Sequence, residues 1–143
     1  QSLTVHELLM LRKYQSFEFE RRGNHIFVDG TLNGNDVTYM IDTGADGSLL
    51  HIDSAKKHGC KVGDLDQEVW GIGGKRPAAV CVIPKLTMGE AVLTNRKVLA
   101  SDMTRGEGGD EEMGYVGLFG ADFMRELEAV ITYTENRIFL IQK

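Results

Sequence analysis

The stretch Met40-Ile41-Asp42-Thr43-Gly44-Ala45-Asp46 holds the residues best arranged for chemistry. It follows an apolar, β-branched run and precedes Ser48-Leu49-Leu50, so it reads as a strand ending in a tight loop that presents a carboxylate. Gly44, lacking a Cβ, lets the backbone turn sharply and approach a neighbour closely. The Thr43 hydroxyl can brace the loop by hydrogen bonding. The chemistry on offer is that of a single carboxylate held out by its loop. The plainer reading is an ordinary turn, because Asp and Gly are common turn residues. The rest of the chain has to decide between them.

Other chemistries fare worse. The histidines His6, His25, His51 and His58 lack a zinc-ligand spacing such as His-Glu-x-x-His. His51 and His58 could share a helix face, but no third ligand stands near them in the sequence. Neither Cys60 nor Cys81 lies at a strand-to-helix elbow or beside a cationic helix start, so neither reads as a nucleophile. They read as small buried apolar residues that could pair once in an oxidising compartment. Gly71-Ile72-Gly73-Gly74-Lys75 suggests a phosphate loop but lacks the glycine spacing and the following hydroxyl. The acidic, glycine-rich run 104–113 does not match an EF-hand and reads as a surface loop. No metal or cofactor is expected.

The elements that must position Asp42 are mostly strands. With 17 glycines and only 2 prolines, and two-residue turn signals throughout, the chain favours short strands over a helical bundle. Val5, Leu8, Leu9 and Arg12 would share a helical face, and Phe17 to Arg21 alternates as a strand does. Residues 1–22 are therefore an arm or linker with a strand at its end, and 23–143 the domain. Ile26–Leu32 and Val37–Ile41, joined by Asn33-Gly34, form a hairpin that delivers Asp42. Ile52 to His58 reads as a short helix, capped by Asp53 or Ser54 and ended by Gly59. Gln67 to Ile83 forms a glycine-rich, mobile hairpin turning at Gly73-Gly74-Lys75. Lys85–Met88 and Ala91–Thr94 form a third hairpin, whose second strand extends to Ala100. Tyr115–Gly120 reads as a buried strand and Ala121–Leu127 as a short helix. Ala129–Tyr133 and Arg137–Ile141 make a closing hairpin.

The bulk numbers set limits. The 143 residues suit one domain, large enough to fold without staples. Sixteen basic and 21 acidic residues give a net charge of −5, with no basic patch interleaved with aromatics, so nucleic acid is not an expected partner. The apolar runs are too short to span a membrane. The chain begins with Gln1, which reads as a processed or trimmed form, so an upstream signal or membrane anchor would not be seen.

The order of these parts resembles the retropepsin fold of the clan AA aspartic proteases, and in particular bacterial single-domain retropepsin-like proteases. Phe27 to Ala45 carries the strand, the Asn-Gly turn and the run into Asp-Thr-Gly-Ala. Leu118-Phe119-Gly120-Ala121-Asp122-Phe123-Met124 matches the family's second motif of apolar-apolar-Gly before a helix. The likeness covers about residues 17–141. It implies an all-β, barrel-like domain with one or two short helices. Asp42 would be the catalytic carboxylate, and Thr43 would brace two active-site loops at a dimer axis. Gly44 and Asp46 would meet the substrate backbone, with Ala45 beside them. The Gln67–Ile83 hairpin would be the flap, with Trp70, Ile72, Gly73 and Gly74 over the cleft. Leu118, Phe119 and Gly120 would support the active-site loop. Retroviral members pair the acid at the Asp46 position with an Arg soon after the second motif's glycine. Ala121 and Asp122 stand there instead, which leaves the role of Asp46 open.

Aspartic proteolysis needs two carboxylates facing one water, and such a pair shares a proton because close like charges cannot both ionise; aspartic proteases are themselves the standard example. The chain has one Asp-Thr-Gly, and Asp53-Ser54-Ala55 lacks the glycine. The resemblance therefore implies a C2 homodimer acting on peptide or protein substrates. The alternative is a retropepsin-like dimerisation or peptide-binding module without catalysis. Family members are often held at the bacterial envelope or periplasm by an upstream anchor, which the trimmed start fits.

Overall fold

A computed structural model describes residues 4, 7–9, 14–71, 74–103 and 114–141. Most of the arm helix expected near the start, the run 104–113, and Ile72 and Gly73 lie outside the described residues. Alternating and β-branched runs form strands β1 (Gln15–Glu18), β2 (Glu20–Arg22), β3 (His25–Leu32), β4 (Asn35–Ile41) and β5 (Leu49–His51). Helix α1 (Ile52–Lys57) leads to β6 (Lys61–Val62), β7 (Gln67–Gly71), β8 (Gly74–Met88) and β9 (Ala91–Ser101). Strand β10 (Gly117–Phe119), helix α2 (Ala121–Glu126), β11 (Val130–Thr132) and β12 (Arg137–Leu140) complete the chain.

The strands close on themselves. β3 pairs β4, β4 pairs β10, β10 pairs β5, β5 pairs β9, β9 pairs β8, and β8 returns to β3. The β4–β10 and β5–β9 pairings are parallel and the others antiparallel. A closed circuit leaves fewer unpaired strand edges. The β3–β4 hairpin turns at Asn33 and Gly34, both at positive φ (50° and 85°), as the Asn-Gly pair requires. Closure is tightest at Gly30, opposite Met88: a Cβ there would lie 1.9 Å from the Thr87 carbonyl oxygen. Beside it, the Thr31 and Thr87 hydroxyls bond at 2.7 Å, and the buried Tyr39 hydroxyl donates to the Thr31 carbonyl at 2.7 Å. A smaller sheet, β1-β12-β11, packs at one end.

The core lies inside this circuit. Val28, Leu32, Tyr39, Leu50, Ile83, Leu86, Phe119 and Leu127 are almost fully buried. Each such side chain contributes about 1.5–3 kcal/mol by leaving water. The Phe119 ring packs against Tyr39 and Phe123 with centroids 4.8 and 4.5 Å apart, tying β4, β10 and α2 together.

Four local expectations need correction. The single strand expected from Phe17 to Arg21 is two, β1 and β2. The chain bends at buried Phe19, whose N–H bonds the Asn136 carbonyl, and so passes from the small sheet to the barrel. Helix α1 begins right after β5, with His51 at the N-cap and no side-chain cap bond, so neither Asp53 nor Ser54 caps it. The second and third hairpins share one continuous strand, β8. Pro84 lacks an N–H and drops out of the ladder, but the register of Ile83 with Arg96 and Lys85 with Thr94 runs on past it. Gly74 and Lys75 belong to that strand rather than to a turn.

Gly30→Ala should destabilise the protein by about 3 kcal/mol, the upper end of overpacking costs, because the Thr87 backbone cannot yield without opening the β3–β8 closure. Equilibrium denaturation of the variant beside Gly34→Ala would check this. At Gly34 a Cβ meets nothing within 4 Å, and only the strain of positive φ remains.

Candidate active site

Asp42 stands where β4 ends. Its N–H bonds the Phe119 carbonyl at 2.9 Å, extending the β4–β10 ladder by one step. The chain then folds tightly. Ala45 N–H returns to the Asp42 carbonyl at 3.1 Å, and Gly44 N–H donates to Asp42 Oδ1 at 3.1 Å. The Asp42 carboxylate is thus oriented by its own loop and is half-buried. Thr43 and Asp46 have exposed side chains, and among the described residues the Thr43 hydroxyl has no hydrogen-bond partner. Gly44 is exposed as well, and Ala45 is half-buried.

The loop is braced from below by the β10–α2 junction. Ala121 N–H donates to the Ala45 carbonyl at 2.7 Å, and Asp122 N–H to the Asp46 carbonyl at 3.2 Å. Gly120 must be glycine here, since a Cβ would lie 2.5 Å from the Ala45 oxygen and 2.8 Å from the Gly47 oxygen. Leu118, Phe119 and Gly120 therefore lie directly against the Asp42 loop.

Two residues that the sequence reading did not single out complete the brace. Ser48 is buried, and its hydroxyl donates to Asp122 Oδ1 at 2.7 Å while accepting the Gly120 N–H at 3.0 Å. Asp122 also accepts the Ser48 N–H at 3.2 Å and the Phe123 N–H at 2.8 Å. A signal was present: Asp122 stands among the residues where the retroviral pattern places Arg. The structure shows what the acid does there, which is to hold Ser48 and the first turn of α2 rather than pair with Asp46.

Strand parity assigns the faces of the sheet. Tyr39, Ile41, Leu50, Phe119, Val98, Ala100 and Cys81 point into the core. Their neighbours must point the other way. Met40 pairs Leu118, Leu118 pairs Leu49, Leu49 pairs Leu99, and Leu99 pairs Val80. These form one lateral apolar row on the outer face. Asp42, two residues after Met40, continues that face. Leu118, Leu49 and Leu99 are half-buried and Val80 is exposed, so the row forms an apolar floor beside the carboxylate.

The β7–β8 hairpin extends this surface. Its pairs run from Gln67 with Ala78 to Gly71 with Gly74. The sequence reading sets Trp70 over the cleft, whereas the register puts its ring on the opposite face of the hairpin, with Lys75, Glu68 and Pro77. There Trp70 is 77% exposed, with the Lys75 ammonium 5.0 Å above its ring and paired to Glu68 at 3.4 Å. Val69 and Arg76 occupy the face that continues to Ala78 and Val80. Gly74 opens β8 at φ 110°, whereas Ile72 and Gly73 lie outside the described residues.

The remaining candidates sit elsewhere. Cys60 and Cys81 are buried and unlinked, and their mutual hydrogen bond together with burial pushes the Cys81 thiol well above its ordinary pKa. His51 is fully buried, with Nδ1 accepting the Met103 N–H at 3.1 Å.

A closed barrel with an Asp-Thr-Gly loop braced by an apolar-apolar-Gly junction defines a retropepsin-like domain. Comparison with known proteins agrees. The aspartyl protease family model matches residues 28–123, and the chain belongs to that family. Among solved structures, a retropepsin-like aspartic protease from Rickettsia conorii superposes with a TM-score of 0.60 at 17% identity, covering 88% of this chain and 98% of that one. EIAV protease, solved with the inhibitor HBY-793, gives a TM-score of 0.58 at 16% identity, covering 79% and 97%. The retroviral protease-like domain of Ddi1 from Leishmania major gives 0.57 at 16% identity, covering 83% and 90%. No curated protein sequence matches the chain.

Ser48→Ala should cost about 1–3 kcal/mol, because it leaves the Gly120 N–H without its acceptor and removes one of the two hydrogen bonds that Asp122 Oδ1 accepts. Asp122→Ala should cost a similar amount. The double variant should cost clearly less than the sum, since both remove one network. Urea denaturation of the four proteins would read the cycle, and simple additivity would show that the pair is not coupled.

Proposed function

We propose that the protein is an aspartic endopeptidase acting as a C2 homodimer, in which two Asp42 carboxylates, one from each subunit, activate a water between them. The observation that carries this reading is the setting of Asp42. It is half-buried at the end of a central strand, oriented by Gly44 N–H, and placed beside an apolar floor. One ionised Asp42 takes a proton from the water as it attacks the scissile carbonyl. The protonated partner donates a hydrogen bond to the carbonyl oxygen, where charge develops. A proton then passes to the leaving amine as the tetrahedral intermediate collapses. In this reading Thr43, exposed in the single chain, meets its counterpart at the twofold axis.

The substrate would lie extended between the Asp42 loops and the β7–β8 hairpin, which serves as the flap. Gly44, Ala45 and Asp46 would bond its backbone, and Ile72, Gly73 and Gly74 would close over it. Met40, Leu118, Leu49 and Leu99 would receive apolar side chains near the scissile bond. Trp70 would contribute from the opposite face of the hairpin, stiffening the flap through Lys75.

Asp42→Asn should lower kcat by about 10³-fold or more on a peptide library, while oligomeric state is retained. Specific activity should follow dimer concentration, and full activity in a demonstrably monomeric sample would overturn the paired-carboxylate mechanism. The wild-type pH profile should be bell-shaped, because the mechanism needs one carboxylate ionised and the other protonated. An Asp42→Asn protein that binds peptides as well as a wild type without turnover would instead identify a binding module.

A further inference from the structure

We propose that Arg76 selects peptides by receiving a carboxylate, a specificity that adds to the apolar floor and rests on the protease reading above. Arg76 lies on β8 with the same parity as Ala78 and Val80, and Val80 joins the row that leads through Leu99, Leu49 and Leu118 to Met40 and Asp42. The ladder from Gly74 to Val80 is unbroken, so Arg76 has the strand parity of Val80 and the apolar row. Its partner across the hairpin is Val69, which offers it no charge.

Arg76 Nη1 donates to the Asp102 backbone carbonyl at 2.8 Å. That bond fixes the fork at the edge of the surface where β9 ends. It satisfies one of the five N–H donors of a guanidinium, and among the described residues no other group bonds the rest. The hairpin's other cation, Lys75, is engaged on the opposite face by Glu68 and Trp70. Arg76 is thus the cation that an extended peptide under this hairpin would meet. A planar, pre-oriented fork suits a carboxylate, whether from an Asp or Glu side chain or from a free C-terminus.

Matched peptides sharing an apolar cleavage site separate these sources. One set scans Asp against Asn and Glu against Gln with amidated C-termini, and a second compares free with amidated C-termini. The wild type should prefer the carboxylate member by about tenfold or more in kcat/KM. Arg76→Gln should level that ratio, and Arg76→Glu should invert it in favour of a Lys-bearing peptide. A position-specific preference in the first set names a side chain, and a preference confined to the second names the terminus. An unchanged ratio in Arg76→Gln overturns the proposal, as does an equal loss on charged and neutral peptides, which would make Arg76 a brace for the hairpin. Peptide binding to Asp42→Asn protein reads the same ratio without turnover. Charge-selective binding with no cleavage by the wild type would therefore overturn only the protease reading, whereas cleavage without charge selection would overturn only this one.

Discussion

The contact between the Asp42 loop and the β10–α2 junction is the constraint on which the rest depends. Tight loops carry backbone groups that need partners, and this one finds them in Phe119, Ala121 and Asp122. The approach is close enough that Gly120 has no room for a Cβ. Ser48 and Asp122 complete it with a small polar network between the two segments. Buried networks of this kind hold one geometry when every member is satisfied. The position of the Asp42 carboxylate is thus inherited from residues far along the chain rather than from its own loop alone.

That junction can exist only because the strands close into a circuit. β10 enters between β4 and β5, parallel to one and antiparallel to the other. It can do so because Gly117 lets its backbone come against Leu49 and Leu50, where a Cβ would lie 2.6 Å from the Leu49 oxygen. The same insertion sets the two faces of the sheet. A slip of one residue in β10 would exchange Leu118 with Phe119, expelling a core aromatic and removing the centre of the apolar floor. Core packing therefore enforces the register that also builds the surface beside Asp42.

The departure from the retroviral pattern illustrates how one fold solves a local problem in different chemistry. An arginine after the second motif's glycine would reach for the acid two residues past the triplet. Asp122 instead turns inward to Ser48 and the start of α2, leaving the Asp46 side chain exposed and, among the described residues, Asp46 tied only through its carbonyl. The loop keeps its brace, and Asp46 is left open to solvent.

Much of this was legible in the sequence because it rests on local signals. The Asn33-Gly34 hairpin, the Asp-Thr-Gly loop and the apolar-apolar-Gly before a helix depend on positive φ, missing Cβ atoms and period-two alternation, all of which individual residue types declare. Boundaries were less secure where a local rule was overridden. The sequence pattern ends one strand at Ile83 and starts another at Lys85, yet the proline between them costs a single ladder bond and β8 runs on past it. The helix after β5 looked as if it needed a polar cap, yet the ladder delivers it directly from His51. What only the tertiary structure decided are relations between segments remote in sequence: the Ser48–Asp122 network, the apolar row across the sheet, and the opposite faces of the β7–β8 hairpin that carry Trp70 and Arg76. Each depends on which strands pair and in what register. Register is set by the packing of the whole core, and no single stretch of the chain records it.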